Sequence, residues 1–508
     1  MNDDSLLFEG NDWDFQTIQR IHEAVARIAD EKLGLDIFPN QIEVITAEQM
    51  LDAYASAGMP LFYRHWSFGK RFAQHEGVYR VGLQGLAYEI VINSNPCISY
   101  IMEENTATMQ ALVIAHAAFG HNHFFKNNYQ FRQWTDPGSI LDYLAYAKNY
   151  IANCEERYGE SEVERLLDAA HALMPQGIDH YPHKKPLDLR SEEKRERDRM
   201  QERERLYNDL WRTVPGSSRD ASTTAVDRRR TMLRLPQENI LYFLEKTAPK
   251  LHPWQREVLR IVRLIAQYFY PQQLTKVMNE GCATYCHYRI MNTLHETRRI
   301  GDGSFLEFLR SHTNVIRQPD CYDRAYSGVN PYALGFDMMR DLARIVLQPT
   351  EEDRAWFPEI AGRGDEMAVL RDIWANYRDD SFITQFLSPN LIRKWRLFHI
   401  VDEDDAPQLE VSAIHNERGY RDLRRSLAAE YENARKIPDI QVVDVDLAGS
   451  RKLVMRHKVV DGKLLELGNA SLVLGQIANL WGYEILLEEI DATSEEVLKA
   501  HMASPATH

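Results

Sequence analysis

Three imidazoles crowd the end of one apolar run, Ala111-Leu-Val-Ile-Ala-His116-Ala-Ala-Phe-Gly120-His121-Asn-His123. Far downstream a second segment, Met278-Asn-Glu280-Gly-Cys-Ala-Thr-Tyr-Cys-His287, adds a carboxylate and a fourth imidazole. Neutral imidazole and carboxylate are the ligands a zinc-type divalent cation prefers. They commonly come from two separate elements, with one position left open for water. Both segments have helix-forming composition, so the chemistry depends on how two helices present these groups.

In an unbroken α-helix His116 and His123, seven apart, share a face, whereas His116 and His121 lie roughly 140° apart. Gly120 offers another arrangement, because glycine readily takes the left-handed conformation that ends helices. His121 would then swing back toward His116. Spacing alone leaves both pairings open. Glu280 and His287 are also seven apart, on one face and roughly 10 Å apart along the axis. That separation suits one metal ligand plus one group in its support or against the substrate. Gly281 and Ala283 are small enough to let another helix approach. Cys282 and Cys286 are four apart, but no second thiolate pair accompanies them, and buried packing is the simpler reading. A di-iron bundle would need two Glu-x-x-His pairs, and none is suitably placed.

Around these segments residues 13–34 show helical spacing, 42–45 and 88–93 read as strands, and 100–120 and 274–297 as the helices that carry the site. Residues 184–230 begin as a dense run of alternating charge and end in Pro-Gly-Ser-Ser and Ala-Ser-Thr-Thr, a solvated helix followed by a flexible linker. A discontinuous, mostly helical core over 1–183 and 231–396 is therefore expected. A small α+β regulatory or docking domain follows over 397–508. Its strand–helix–strand–strand–helix–strand order matches a ferredoxin-like βαββαβ module.

The 508 residues carry a net charge of -15, which argues against nucleic acid as a default partner. The five cysteines (Cys97, Cys154, Cys282, Cys286, Cys321) are scattered except for one pair, as in a reducing compartment. The first residues lack the basic and apolar regions of a signal peptide. No apolar run approaches the roughly 20 residues that cross a bilayer, so a cytoplasmic protein without a membrane span is expected.

Several long segments together resemble the SpoVR family, named for a stage V sporulation protein. They are Gln41-Ile-Glu-Val-Ile-Thr, His65-Trp-Ser-Phe-Gly-Lys, Gln84-Gly-Leu-Ala-Tyr-Glu-Ile-Val-Ile-Asn-Ser-Asn-Pro, His116-Ala-Ala-Phe-Gly-His-Asn-His-Phe-Phe-Lys-Asn-Asn, Met278-Asn-Glu-Gly, His312-Thr-Asn-Val, Asn330-Pro-Tyr-Ala-Leu-Gly-Phe and Gln385-Phe-Leu-Ser-Pro. The family pattern has histidine at 116 and 121 without requiring one at 123. The resemblance therefore favours His116 and His121, with Glu280, as the metal ligands. The chain departs from the pattern at Cys282 and Cys286, where the family carries tryptophans. The resemblance implies a link to the spore cortex, a peptidoglycan layer, or to stationary-phase stress programmes. It also implies a PrkA-type serine kinase and a von Willebrand A-like protein as partners.

The order of strand, histidine helix and glutamate helix also resembles gluzincin peptidases. On that reading the fold is α+β and mostly helical, with a zincin-like core holding Zn²⁺. It would act as a metal-dependent peptidase or amide hydrolase on a peptide or peptidoglycan-related substrate. Glu280, His287, His312 and Tyr332 are the candidate catalytic residues, the last three as oxyanion stabilisers. One departure is serious. In H-E-x-x-H enzymes the residue after the first histidine is the general base, and here it is Ala117. A base must come from elsewhere, with Glu89 and Glu280 the candidates. If Glu280 is the base, the metal needs another ligand. The alternative is a non-catalytic metal-containing regulator acting with the kinase.

Overall fold

A computed structural model describes residues 5–55, 63–66, 89–180, 233, 235–319, 323, 326, 328–401, 410–413, 415–432, 437–447, 449–460 and 462–506. The charged run and linker expected over 184–230 lie outside the described residues. The chain is mostly helical and divides into two compact units, Met1–Asn149 with Pro271–Glu432, and Tyr150–Tyr270 with Asn433–His508. The core is thus discontinuous in sequence, but the divisions differ from the expected 1–183 with 231–396 and 397–508. Residues 150–183 and 231–270 join the C-terminal segment, and 397–432 join the first unit.

In the first unit, helix α1 (Phe15–Glu31) starts where the Asp14 carboxylate accepts the Thr17 N–H, and it buries Ile18, Ile21 and Val25 at helical spacing. Strands β1 (Asn40–Ile45), β2 (Glu89–Ile92) and β3 (Cys97–Met102) form a sheet in the order β1-β3-β2. β3 lies parallel to β1, with Asn40 opposite Cys97, and antiparallel to β2, with Glu89 opposite Ile101. Residues 100–102, expected in a helix, therefore belong to the central strand. Helix α2 (Ala47–Ala55) follows β1. Helix α3 (Ala107–Val113) begins at Thr106, whose hydroxyl accepts the Met109 N–H. It passes into a π-helical segment (Ile114–His121) and then α4 (Asn122–Asn127). Helices α5 (Tyr129–Trp134) and α6 (Ile140–Tyr158) come next.

Helix α7 (Glu160–Ala172) belongs to the second unit, as does α8 (Ile240–Thr247), and α9 (Pro253–Leu274) runs into the return of the first. There α10 (Lys276–Glu296) is the central rod. Its first turn is tied down by Asp379, whose carboxylate accepts the Val277 and Met278 N–H groups at 2.9 Å each. Helices α11 (Asp302–Val315), α12 (Pro331–Leu347), α13 (Glu351–Trp356), α14 (Glu366–Asn376), α15 (Asp379–Phe386), α16 (Pro389–Lys394) and α17 (Glu417–Tyr431) complete the unit. The backbones of α10 and α12 touch where Gly281 meets Gly335. A Cβ on Gly335 would lie 2.2 Å from the Val277 carbonyl oxygen and 2.8 Å from Gly281 Cα. On its other side α10 receives the π-helical segment, where a Cβ on Gly120 would lie 2.5 Å from Ala283 Cα. The small residues of α10 thus admit a helix on each of two sides. Phe119, Phe308, Phe336 and Trp374 fill the surrounding core.

The ferredoxin-like expectation is corrected by the strand pairing. The first expected strand, β5 (Glu410–Ala413), pairs with β4 (His399–Val401) in a separate two-stranded sheet. The first expected helix, α17, packs with α15 in the first unit. The second unit instead holds β6 (Ile440–Val445), β7 (Leu453–Val459), helix α18 (Leu467–Trp481), β8 (Ile485–Asp491) and an unexpected β9 (Val497–Ala503). The sheet order is β6-β7-β8-β9: a hairpin, a parallel helical crossover and a second hairpin. Successive strands are neighbours here, whereas a ferredoxin-like sheet interleaves its two halves.

Within this sheet Glu489 is fully buried. Its carboxylate accepts from His457 Nδ1 at 3.1 Å, from His501 Nε2 at 2.7 Å and from the Leu465 N–H at 2.8 Å. Removing the acceptor strands two buried imidazoles and the half-buried Leu465 N–H. Glu489→Ala is therefore expected to lower unfolding stability by about 3 kcal/mol, measured by urea denaturation, with Glu489→Gln costing less because it keeps an acceptor. A shift too small to measure in Glu489→Ala would show that the network adds nothing.

Candidate metal centre

The histidines are brought together by a change in helix winding. The ladder widens at Ile114, and the Asn122 N–H bonds the Ala117 carbonyl five residues back. In π winding the hydrogen bond closes at i→i+5, so residues five apart stack. His116 and His121 become neighbours, with ring centroids 4.7 Å apart and planes nearly perpendicular. The expected break at Gly120 does not occur, because the helix runs on through His121 into α4. Gly120 serves the close approach to Ala283 instead.

His123 faces elsewhere. Its Nδ1 accepts the Asp36 N–H at 3.0 Å, and its ring meets Trp374 edge-on. Asn122 bonds both the N–H and the carbonyl of Phe38, and Asn127 bonds the Asp36 carbonyl. The polar residues of 122–127 thus clamp the segment leading into β1. They position the site without entering it.

Four groups converge at the centre. His116 Nε2 lies 3.2 Å from Glu89 Oε1, at the start of β2, and 3.8 Å from Glu280 Oε2, on α10. His121 Nε2 lies 3.5 Å from the same Glu280 oxygen. One ligand atom each from Glu89, His116 and His121 falls within a common 4.8 Å, the spacing of a cation site. Glu280 stands against both imidazoles beside this trio. The two carboxylate side chains keep 18% and 17% of their surface exposed, while both imidazoles are buried.

The other nitrogens are engaged. His121 Nδ1–H donates to Asn279 Oδ1 at 2.9 Å, which leaves its Nε2 as a bare lone pair. A lone pair and a carboxylate oxygen therefore face each other, and Glu280 Oε2 is buried without a hydrogen-bond partner. Two acceptors held that close call for a positive charge between them. His116 Nδ1 lies 2.8 Å from His287 Nδ1, and His287 Nε2 lies 2.9 Å from His312 Nδ1. His287 is thus on the edge of the His116 ring opposite the carboxylates. Tyr332, from the first turn of α12, stacks on His116 and hydrogen-bonds Glu280.

Burial pushes the His121 imidazole down to about 4, against the pull of Glu280, so it is neutral at pH 7. Burial also draws His116 down, but the charges of Glu89 and Glu280 outweigh it and hold the group above its usual value. Burial raises the Glu89 carboxyl, with His116 opposing and the like charge of Glu280 adding. Burial acts the same way on Glu280, yet His121, His116 and Tyr332 together keep it below the usual range. Burial depresses His287 and takes His312 to about 4, where the Arg340 charge assists.

All the residues expected at the site, His116, His121, Glu280, His287, His312 and Tyr332, thus belong to one connected cluster. Glu89, expected only as a candidate base, stands among the closest donor atoms. Asn279, which fixes the His121 tautomer, was not anticipated, although it sits in the Met278-Asn-Glu-Gly segment. Cys282 and Cys286 are buried in the core, with no place among the converging groups.

Comparison with known proteins agrees with the resemblance. The family model described as SpoVR like protein matches residues 12–436, and that of the SpoVR-like C-terminal domain matches 438–492. The junction between them falls near the Glu432/Asn433 division of the structure. The chain is 51% identical over 490 residues to "Uncharacterized protein YcgB" of Escherichia coli (strain K12), covering 96% of this chain and 95% of that protein. No solved structure matches it. No helix among the described residues is long and apolar enough to cross a membrane. On both family models and on this relative, the chain belongs to the SpoVR family.

Proposed function

We propose that the chain is a metal-dependent amide hydrolase of zincin-like design, with Glu89, His116 and His121 as ligands of a divalent cation and Glu280 as general base. The observation that carries this reading is the convergence of four groups able to ligate a cation, two imidazole nitrogens and two carboxylates, on one point. A bound Zn²⁺ there would supply Lewis acidity, polarising a carbonyl and activating water. Relative to gluzincins the roles are exchanged. The strand supplies a ligand, and the second helix supplies the base that Ala117 withholds. Glu280, ionised at neutral pH, accepts a proton from water. Tyr332, which hydrogen-bonds that carboxylate, orients it.

The family's association with spore cortex points to peptide bonds of peptidoglycan as the substrate class. Cleavage of peptidoglycan stem peptides is expected to stop on chelation and return with Zn²⁺. Cleavage that survives chelation would count against a metal-dependent reaction. A second reading, a metal-containing regulator that acts with a PrkA-type serine kinase, is favoured by Ala117. It predicts full metal content, no hydrolysis, and co-purification with the kinase.

A further inference from the structure

The three imidazoles His116, His287 and His312 form a continuous chain, Nδ1 to Nδ1 at 2.8 Å and then Nε2 to Nδ1 at 2.9 Å. The chain is encased in rings. Phe308 meets His287 edge-on, and Phe308, Tyr288 and Phe336 surround His312. All three histidines are buried. A neutral imidazole has one donor and one acceptor nitrogen. In an apolar casing a misdirected N–H finds no substitute partner. The polarity of one ring therefore fixes that of the next.

For three neutral rings, two polarities satisfy both contacts between the rings. In the first, His312 Nδ1–H donates to His287 Nε2, His287 Nδ1–H donates to His116 Nδ1, and His116 Nε2–H donates to Glu89. In the second, all three protons sit at the other nitrogen of their ring. His116 Nδ1–H donates to His287 Nδ1, His287 Nε2–H donates to His312 Nδ1, and His116 Nε2 is a bare lone pair. Each state holds three protons, so no charge is created. Only the second leaves His116 able to bind a cation.

We propose that His287 and His312 are positioning residues that select the tautomer of His116, the two polarities of the chain corresponding to the metal-free and metal-holding forms of the protein. This rests on the metal reading above and gives His287 and His312 a task other than oxyanion stabilisation. His287 touches the ring edge turned away from Glu89 and Glu280, which suits that task.

The test is Zn²⁺ affinity of the full-length chain, by competition with a chromophoric chelator, together with ¹⁵N-histidine spectra of both forms. In the wild type, loading with zinc should move the His116 proton from Nε2 to Nδ1 and reverse His287 and His312 with it. His287→Phe is expected to weaken zinc binding by roughly 10–100-fold. His312→Phe should weaken it too. His312→Asn should restore most of it, because Oδ1 can accept the His287 Nε2–H; this pair, at the far end of the chain, also guards against loss of folding in His287→Phe. Wild-type affinity in both phenylalanine variants, or no rescue by asparagine, would overturn the proposal while leaving the metal site standing. A wild type that takes up no zinc would overturn the metal reading itself, and this one with it.

Discussion

Glu280→Gln is expected to keep the metal and lose the reaction. The amide has nearly the shape of the carboxylate and can still bond Tyr332, so the packing around Gly281 need not change. It can no longer take a proton. A missing general base typically costs roughly 10²–10⁴-fold in rate, and that fall in stem-peptide hydrolysis is expected at wild-type zinc content. Glu89→Gln should do the reverse and lower metal content first, because Glu89 belongs to the compact trio with His116 and His121. Loss of metal in Glu280→Gln with retention in Glu89→Gln would exchange the two roles. That outcome would restore His116, His121 and Glu280 as the ligand set.

A single methyl group is expected to cost the first unit much of its stability. Gly335→Ala places a Cβ 2.2 Å from the Val277 carbonyl oxygen and 2.8 Å from Gly281 Cα. Both are backbone atoms of α10, so no side-chain rotation relieves the contact and the two helices must part. Overpacking of this kind costs about 1–3 kcal/mol and sometimes more, against a gain of about 1 kcal/mol in helix propensity. A net loss of roughly 1–2 kcal/mol is expected by urea denaturation. Zinc affinity should fall with it, because α10 carries Glu280 and Asn279. Gly303→Ala is the control, since a Cβ there meets nothing within 4 Å. Equal stability of the two variants would contradict the close crossing of α10 and α12.

Much of the site was legible in the sequence because its residue types are unusual and their elements are strongly patterned. The strand carrying Glu89 and the helix carrying Glu280 lie close to where composition places them, and Gly281 and Ala283 announce a close approach. The winding between His116 and His121 was not legible. Five residues is the hydrogen-bond span of a π-helix, a rare conformation that residue types do not announce, whereas Gly120 reads as a helix end. β3 escaped because Cys97–Met102 is buried on both faces and so lacks the alternation that marks half-buried strands. The C-terminal sheet was misread for a different reason. The order of strands and helices along 409–488 fits a ferredoxin-like unit, but order does not fix pairing. β5 found β4 as its partner, while β9, with its exposed Leu498 and Met502, carried no signal of a sheet edge.

Everything proposed for the site depends on a cation held by His116 and His121. Metal analysis of the purified full-length chain, without chelators, tests it most directly in the wild type and in His116→Ala, His121→Ala and His123→Ala. About one divalent ion per chain is expected in the wild type, little in the first two variants, and wild-type content in His123→Ala, whose imidazole holds the Asp36 backbone. A wild type without metal, or His121→Ala with its metal intact, would contradict it.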